Sequence, residues 1–120
     1  MTAPGFTNIP PQEALRLLQS GHITQVVDTR ELNEWQAARI EGSVLTPVPS
    51  GEGQVLARLQ ALGLPKDQPV LVHCRSGARS MRVMPQILAY GFTTVYHLPG
   101  GIISWVDAGC PVTSGPGNPG

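Results

Sequence analysis

The sequence predicts an α/β fold built on a mostly parallel sheet, and three observations carry that prediction. Apolar runs of about four residues alternate with stretches of helical periodicity, the pattern of βαβ units. Glycine and proline fall where those stretches would begin and end. The length of 120 residues suffices for one hydrophobic core and not for two.

Taken in order, a first helix is expected over 11–20, with Pro11 in its first turn, Leu15 and Leu18 on one side and Gly21 past its end. Residues 25–28 read as a buried strand, 31–38 as a short helix and 43–45 as a second strand. A Pro/Gly-rich loop over 46–53 precedes a helix over 55–62, closed by Gly63 and Pro65. The clearest unit follows: a strand over 70–73, a tight loop from Cys74 to Gly77, and a helix over 78–90 ended by Gly91. Pro85 falls inside that helix, where it removes a backbone donor and crowds the carbonyl of Met81, so a kink is expected. A strand over 94–98 and a helix over 101–108 complete the pattern. The domain is expected over 9–112, with a flexible N-terminus at 1–8. The tail at 113–120 holds three glycines and two prolines and is expected to be disordered.

Eight basic side chains balance eight acidic ones. That balance argues against a nucleic-acid or membrane-surface binder, either of which would need a basic excess. No apolar run approaches membrane-spanning length. The opening residues lack the basic and apolar regions of a signal peptide, so the cytoplasm is the default expectation. Two cysteines, Cys74 and Cys110, are too few for a disulfide framework and match no zinc spacing. No metal or cofactor is expected.

The chemistry is expected in the loop His73-Cys74-Arg75-Ser76-Gly77-Ala78-Arg79-Ser80. It joins the C-terminal end of a strand to the start of a helix, the edge where parallel sheets bind ligands. Unpaired N–H groups and the helix dipole make that start an anion site, and Gly77 lets the loop curl into a nest of inward amides. Arg75 and Arg79 add charge in a form suited to oxyanions. Cys74 sits at the mouth of the nest. A free cysteine titrates near ~8.5 and one in such surroundings at ~3.5–7.5, so its thiolate is favoured and a persulfide anion would be stabilised there too. A cysteine after an apolar strand is most often an inert core residue; a glycine and two arginines within five residues do not suit a core position.

On these residues the chain resembles the rhodanese (thiosulfate sulfurtransferase) domain. The markers run in order along the chain. They are Val26-Val27-Asp28-Thr29-Arg30-Glu31 with Glu34-Trp35, then Ile40-Glu41-Gly42-Ser43, the Cys74–Ser80 loop, Leu98-Pro99-Gly100-Gly101-Ile102-Ile103-Ser104-Trp105, and Gly109-Cys110-Pro111-Val112. The resemblance implies a five-stranded, mainly parallel sheet with helices on both faces. It implies sulfur transfer from an anionic donor such as thiosulfate to Cys74, and on to a thiophilic acceptor such as cyanide, a thiol or an acceptor protein. Arg75, Ser76, Gly77, Ala78 and Arg79 would bind the donor. Phosphatases of the same fold separate cysteine and arginine by five residues; here four lie between Cys74 and Arg79, and position 80 is serine. Two departures stand out. Arg39 replaces a usual histidine, and Cys110 replaces a usual leucine.

Asp28 and Arg30, at the exit of the first strand, are expected to hydrogen-bond the loop and fix its arginines, or else to form an ordinary cap and ion pair. Trp35 and Trp105 suit core positions better than a substrate wall. Strand alternation turns His73 away from Cys74, and His22 and His97 carry no site signal. Gly100 and Gly101 suit a tight turn that brings backbone close to the loop. Three functions remain: a sulfurtransferase, a persulfide carrier serving another protein, and an oxyanion phosphatase or arsenate reductase, which the loop length disfavours.

Overall fold

The structure is a computed structural model that describes residues 5–48 and 54–120. The expected loop over 46–53 lies outside the described residues from 49 to 53. Ten elements follow one another: β1 (Thr7–Asn8), α1 (Pro11–Gln19), β2 (Gln25–Asp28), α2 (Leu32–Ala37), β3 (Ser43–Leu45), α3 (Gln54–Leu62), β4 (Val70–His73), α4 (Ala78–Tyr90), β5 (Val95–His97) and α5 (Gly101–Asp107). The strands form one parallel sheet in the order β1-β5-β4-β2-β3.

Strand alternation divides the core in two. Val27, Val70, Val72 and Val95 pack with Val55 and Leu59 of α3 and Val83, Met84 and Ile87 of α4. Val26 and Leu71 face the other way, towards Ala14 and Leu17 of α1 and Ile102 and Trp105 of α5. Helices thus cover both faces, and β4 lies buried at the centre. The chain leaves β2 outward to β3 and leaves β4 in the opposite direction to β5. The crevice between the C-terminal ends of β2 and β4 is therefore the switch point of the sheet, where α/β folds place ligands.

Helix α4 runs unbroken through Pro85. Pro85 and Met81 both lie on its exposed side, so the missing backbone donor falls on the face of the helix that water can reach. That geometry explains how the proline is tolerated.

Described residues at both chain ends make backbone hydrogen bonds. Thr7 and Asn8, expected in a flexible N-terminus, pair with Tyr96 and His97 as the fifth strand. Residues 113–120, expected to be disordered, run along α2 and the outer edge of β3. Arg39 and Thr113 exchange two backbone hydrogen bonds, Gly115 N donates to Gln36 O, and Leu45 N donates to Pro119 O. Arg39 stacks 3.9 Å over Trp35 and donates to Gly115 O. The residue standing where a histidine is usual thus holds the tail. No helix among the described residues is long and apolar enough to cross a membrane.

Candidate active site

The loop after β4 is shaped by contacts on its outer side. Ile102 N and Ile103 N, in the first turn of α5, donate to the carbonyls of Cys74 and Arg75 at 3.0 and 3.2 Å. Those carbonyls are drawn outward, which leaves the loop amides to turn in. The close approach depends on two glycines at positive φ. A Cβ on Gly77 (φ 108°) would meet Pro99 O at 2.1 Å, and one on Gly101 (φ 62°) would meet Arg75 O at 2.2 Å. The expected approach of the Gly100–Gly101 turn is thus present, with Gly77 as its counterpart.

Cys74 lies at the floor of the loop, 1% exposed. Gly77 N donates to its sulfur at 3.0 Å, and Ser80 Oγ approaches it at 3.3 Å. Burial pushes the thiol up, but the hydrogen bonds of the Ser80 hydroxyl and of the Ser80, Gly77 and Ser76 amides outweigh it, so its pKa falls below the ordinary value. The nest expected from the sequence is present, and Ser80 belongs to it.

Arg75 and Arg79 part company. Arg75 is exposed at the mouth of the loop. Arg79, expected to face the anion, gives its guanidinium fork to Glu34 of α2 in two bonds of 2.7 and 2.8 Å. Arg79 holds Glu34 down at a pKa of about 2 against the cost of partial burial, helped by the Glu31 amide. Arg79 therefore clamps α4 to α2 across the crevice, and much of its charge is already matched. Ser76 and Ala78 are exposed on the rim, and Gly77 is buried.

Asp28 and Arg30 bind each other rather than the loop arginines. Arg30 donates to Asp28 through its backbone N, Nε and Nη2, and through Nη2 to Ala38 O at 2.6 Å. This pair ties β2 to the end of α2, and it approaches the site through β4. Asp28 Oδ2 lies 3.7 Å from His73 Nε2. Thr29 donates to the His73 carbonyl through both its amide and its hydroxyl. His73 Nδ1 in turn donates to Cys74 O at 2.9 Å. Burial pushes His73 down despite Asp28, so the ring is neutral and braces the loop without acting on the sulfur.

His97, without a signal in the sequence, is within reach. Its Nε2 lies 2.7 Å from Ser80 Oγ and its Nδ1 2.8 Å from Asn8 Oδ1. A signal was available: in a strand that alternates Val95, Tyr96, His97, the histidine shares the apolar face of Val95, towards α4. Asn8 lay in a segment without apolar pattern and gave none. Trp35 and Trp105 are core residues, their Nε1 atoms bonded to Ser43 Oγ and Pro111 O. Cys110 is buried beside Trp105 in the second core cluster, where burial pushes its thiol up. Among the described residues, no group of three His, Cys, Asp or Glu side chains is placed to hold a metal.

A thiol held in a nest of amides at the switch point of a parallel sheet is the arrangement of an α/β protein with a nucleophilic cysteine. The sequence profile of the Rhodanese-like domain matches residues 10–108, and the chain belongs to that family. It is 31% identical over 121 residues to thiosulfate sulfurtransferase 18 of Arabidopsis thaliana, covering 93% of this chain and 87% of that protein. It is 36% identical over 106 residues to a probable adenylyltransferase/sulfurtransferase, MoeZ, of Mycobacterium tuberculosis; this match covers 86% of the chain but only 25% of that longer protein. The solution structure of a polysulfide-sulfur transferase homodimer from Wolinella succinogenes superposes with a TM-score of 0.69 at 26% identity, over 92% of this chain and 80% of that one.

Proposed function

We propose that the protein moves sulfane sulfur from thiosulfate or a persulfide donor to a thiophilic acceptor through a persulfide on Cys74. The observation that carries this reading is the Cys74 sulfur, held by Gly77 N and Ser80 Oγ at the floor of an amide nest. The thiolate attacks the outer sulfur of thiosulfate. A Cys74–sulfur bond forms, the bond to the sulfite sulfur breaks, and sulfite leaves with the electron pair. The charge stays on the new terminal sulfur, which the same donors can stabilise. Cyanide then takes that sulfur as thiocyanate and returns the thiolate.

Cys74 is the catalytic residue in this reading. The loop backbone from Arg75 to Arg79 forms the donor cradle, with exposed Arg75 as the charge that meets an incoming anion. A persulfide-carrier role is favoured by one observation, the relative in which the matching region is a quarter of a longer adenylyltransferase/sulfurtransferase. A phosphatase is disfavoured by the four-residue gap between Cys74 and Arg79.

The test is intact-mass measurement after incubation with thiosulfate. Addition of one sulfur atom, its removal by cyanide as thiocyanate and its loss in Cys74→Ser are expected. No added mass from either thiosulfate or a protein persulfide, or an addition that persists in Cys74→Ser, sinks the reading. Loading that thiosulfate cannot achieve but a protein persulfide can would select the carrier role.

A further inference from the structure

A chain of hydrogen bonds runs from the Cys74 sulfur to the edge of the sheet. Ser80 Oγ stands between Cys74 Sγ and His97 Nε2, and His97 Nδ1 meets Asn8, which is exposed on β1 opposite His97 in register. Every link but the last is buried. The Ser80 hydroxyl has one proton, and three acceptors compete for it: the sulfur, Gly77 O at 3.2 Å, and Nε2 when that nitrogen is bare.

The tautomer of His97 decides that competition. With its proton on Nδ1, given to the Asn8 carbonyl, bare Nε2 draws the Ser80 proton at the shortest of the three distances, 2.7 Å. The sulfur must then supply its own proton to Ser80 Oγ, which suits a thiol. With its proton on Nε2, the ring donates to Ser80 Oγ, and Ser80 turns its hydroxyl to the sulfur, which suits a thiolate or a persulfide anion. Asn8, its amide turned over, then donates Nδ2–H to Nδ1. In both arrangements every polar atom of the chain is paired.

We propose that Asn8, His97 and Ser80 form a positioning chain that reverses its hydrogen-bond direction when Cys74 passes between thiol and thiolate. On ionisation the Cys74 proton passes to Ser80, the Ser80 proton to Nε2, and the Nδ1 proton to water at the Asn8 edge. One proton leaves in all, and the imidazole is neutral before and after. A neutral ring is what this geometry favours, because burial first and then His73 push His97 down to about 4. The titratable and charged groups bearing on the chain are few. His73 of β4 acts on His97, Arg79 of α4 acts on Cys74, and Asp28 and Arg30 of β2 act on His73. The use of the chain in sulfur transfer rests on the function proposed above.

The experiment is 15N NMR of the histidine side chains in the whole protein, without a sulfur donor, across the Cys74 titration. Alkylation of Cys74 by iodoacetamide, read on its peptide by mass spectrometry, gives the midpoint of that titration. His97 Nε2 is expected to change from bare to protonated at the same midpoint, and Cys74→Ser is expected to abolish the change. His97→Leu is expected to slow alkylation about threefold to tenfold below the midpoint, the effect of one hydrogen bond. His97→Gln, which keeps an amide donor, is expected to restore most of it. A single His97 tautomer throughout, or a switch that survives in Cys74→Ser, overturns the proposal even if His97→Leu fails to fold. Sulfur loading is scored apart from this. A switch without loading removes the proposed function and keeps the chain, and loading without a switch does the reverse.

Discussion

At the residue scale, the site is made by the absence of side chains as much as by their presence. The nest closes because Gly77 takes φ 108° and lets the Pro99 carbonyl come where a Cβ would stand, at 2.1 Å. Neither partner can give way easily, since the opposing atom is backbone. Gly77 N is also the donor at 3.0 Å to the sulfur, so strain at Gly77 is transmitted to the nucleophile. Gly77→Ala is therefore expected to keep the fold but lose the alignment. Left-handed strain and the forced shift together cost about 1–3 kcal/mol, and loss of one preorganised donor costs about 10²–10³-fold in rate. Thiocyanate formation beside thermal unfolding checks both. A variant that retains full turnover would show that the Gly77 amide does not serve the sulfur. Gly77 and Cys74 were legible in the sequence because the loop motif is local. His97 and Asn8 were not, because their role comes from register between strands far apart in the chain, and Ser80, though local, takes its role from that distant His97.

At the scale of elements, the site is a crevice between two helices that leave the sheet in opposite directions. Only side chains can hold such a crevice to a fixed width. Arg79 of α4 and Glu34 of α2 do so with two parallel bonds, each side chain about a quarter exposed. A pair of that kind contributes about 1 kcal/mol, more through geometry than through charge. The clamp predicts that Arg79→Ala and Glu34→Ala lower stability and sulfur transfer by similar amounts. The double variant is expected to be little worse than either, since both remove one interaction. An Arg79 that instead met the anion directly would give a large loss of kcat/KM in Arg79→Ala and little in Glu34→Ala, and that outcome would refute the clamp. Nine of the ten elements begin and end near where periodicity and breakers put them, and α4 crosses Pro85 on an exposed face. β1 escaped because two exposed residues carry no pattern; only the family resemblance implied a fifth strand.

Over the whole molecule, the buried polar groups that organise the site also set its response to acid. His73 and His97 are held below their ordinary pKa by burial, His97 at about 4 against 6.5. Between those values the unfolded chain binds a proton at His97 that the folded chain does not, so stability rises with pH across that window and is lost on acidification. Glu34 acts in the same direction lower down. Its carboxyl titrates at about 2 in the folded chain against 4.5, so its contribution is complete above 4.5 and drains away as pH falls towards 2. Each proton bound only by the unfolded state contributes a slope of up to about 1.4 kcal/mol per pH unit. Glu34, being partly exposed, falls well short of that. The Tm is therefore expected to fall as pH drops below 6.5 and to keep falling below 4.5. His97→Gln removes one titrating group and is expected to flatten the upper part of the descent, leaving the lower part to Glu34. Glu34→Gln is expected to do the converse. A Tm that holds level from pH 7 to 4 in the wild-type chain would mean that His97 is protonated in the folded state, and it would remove the neutral imidazole on which the Ser80 hydroxyl depends for its direction.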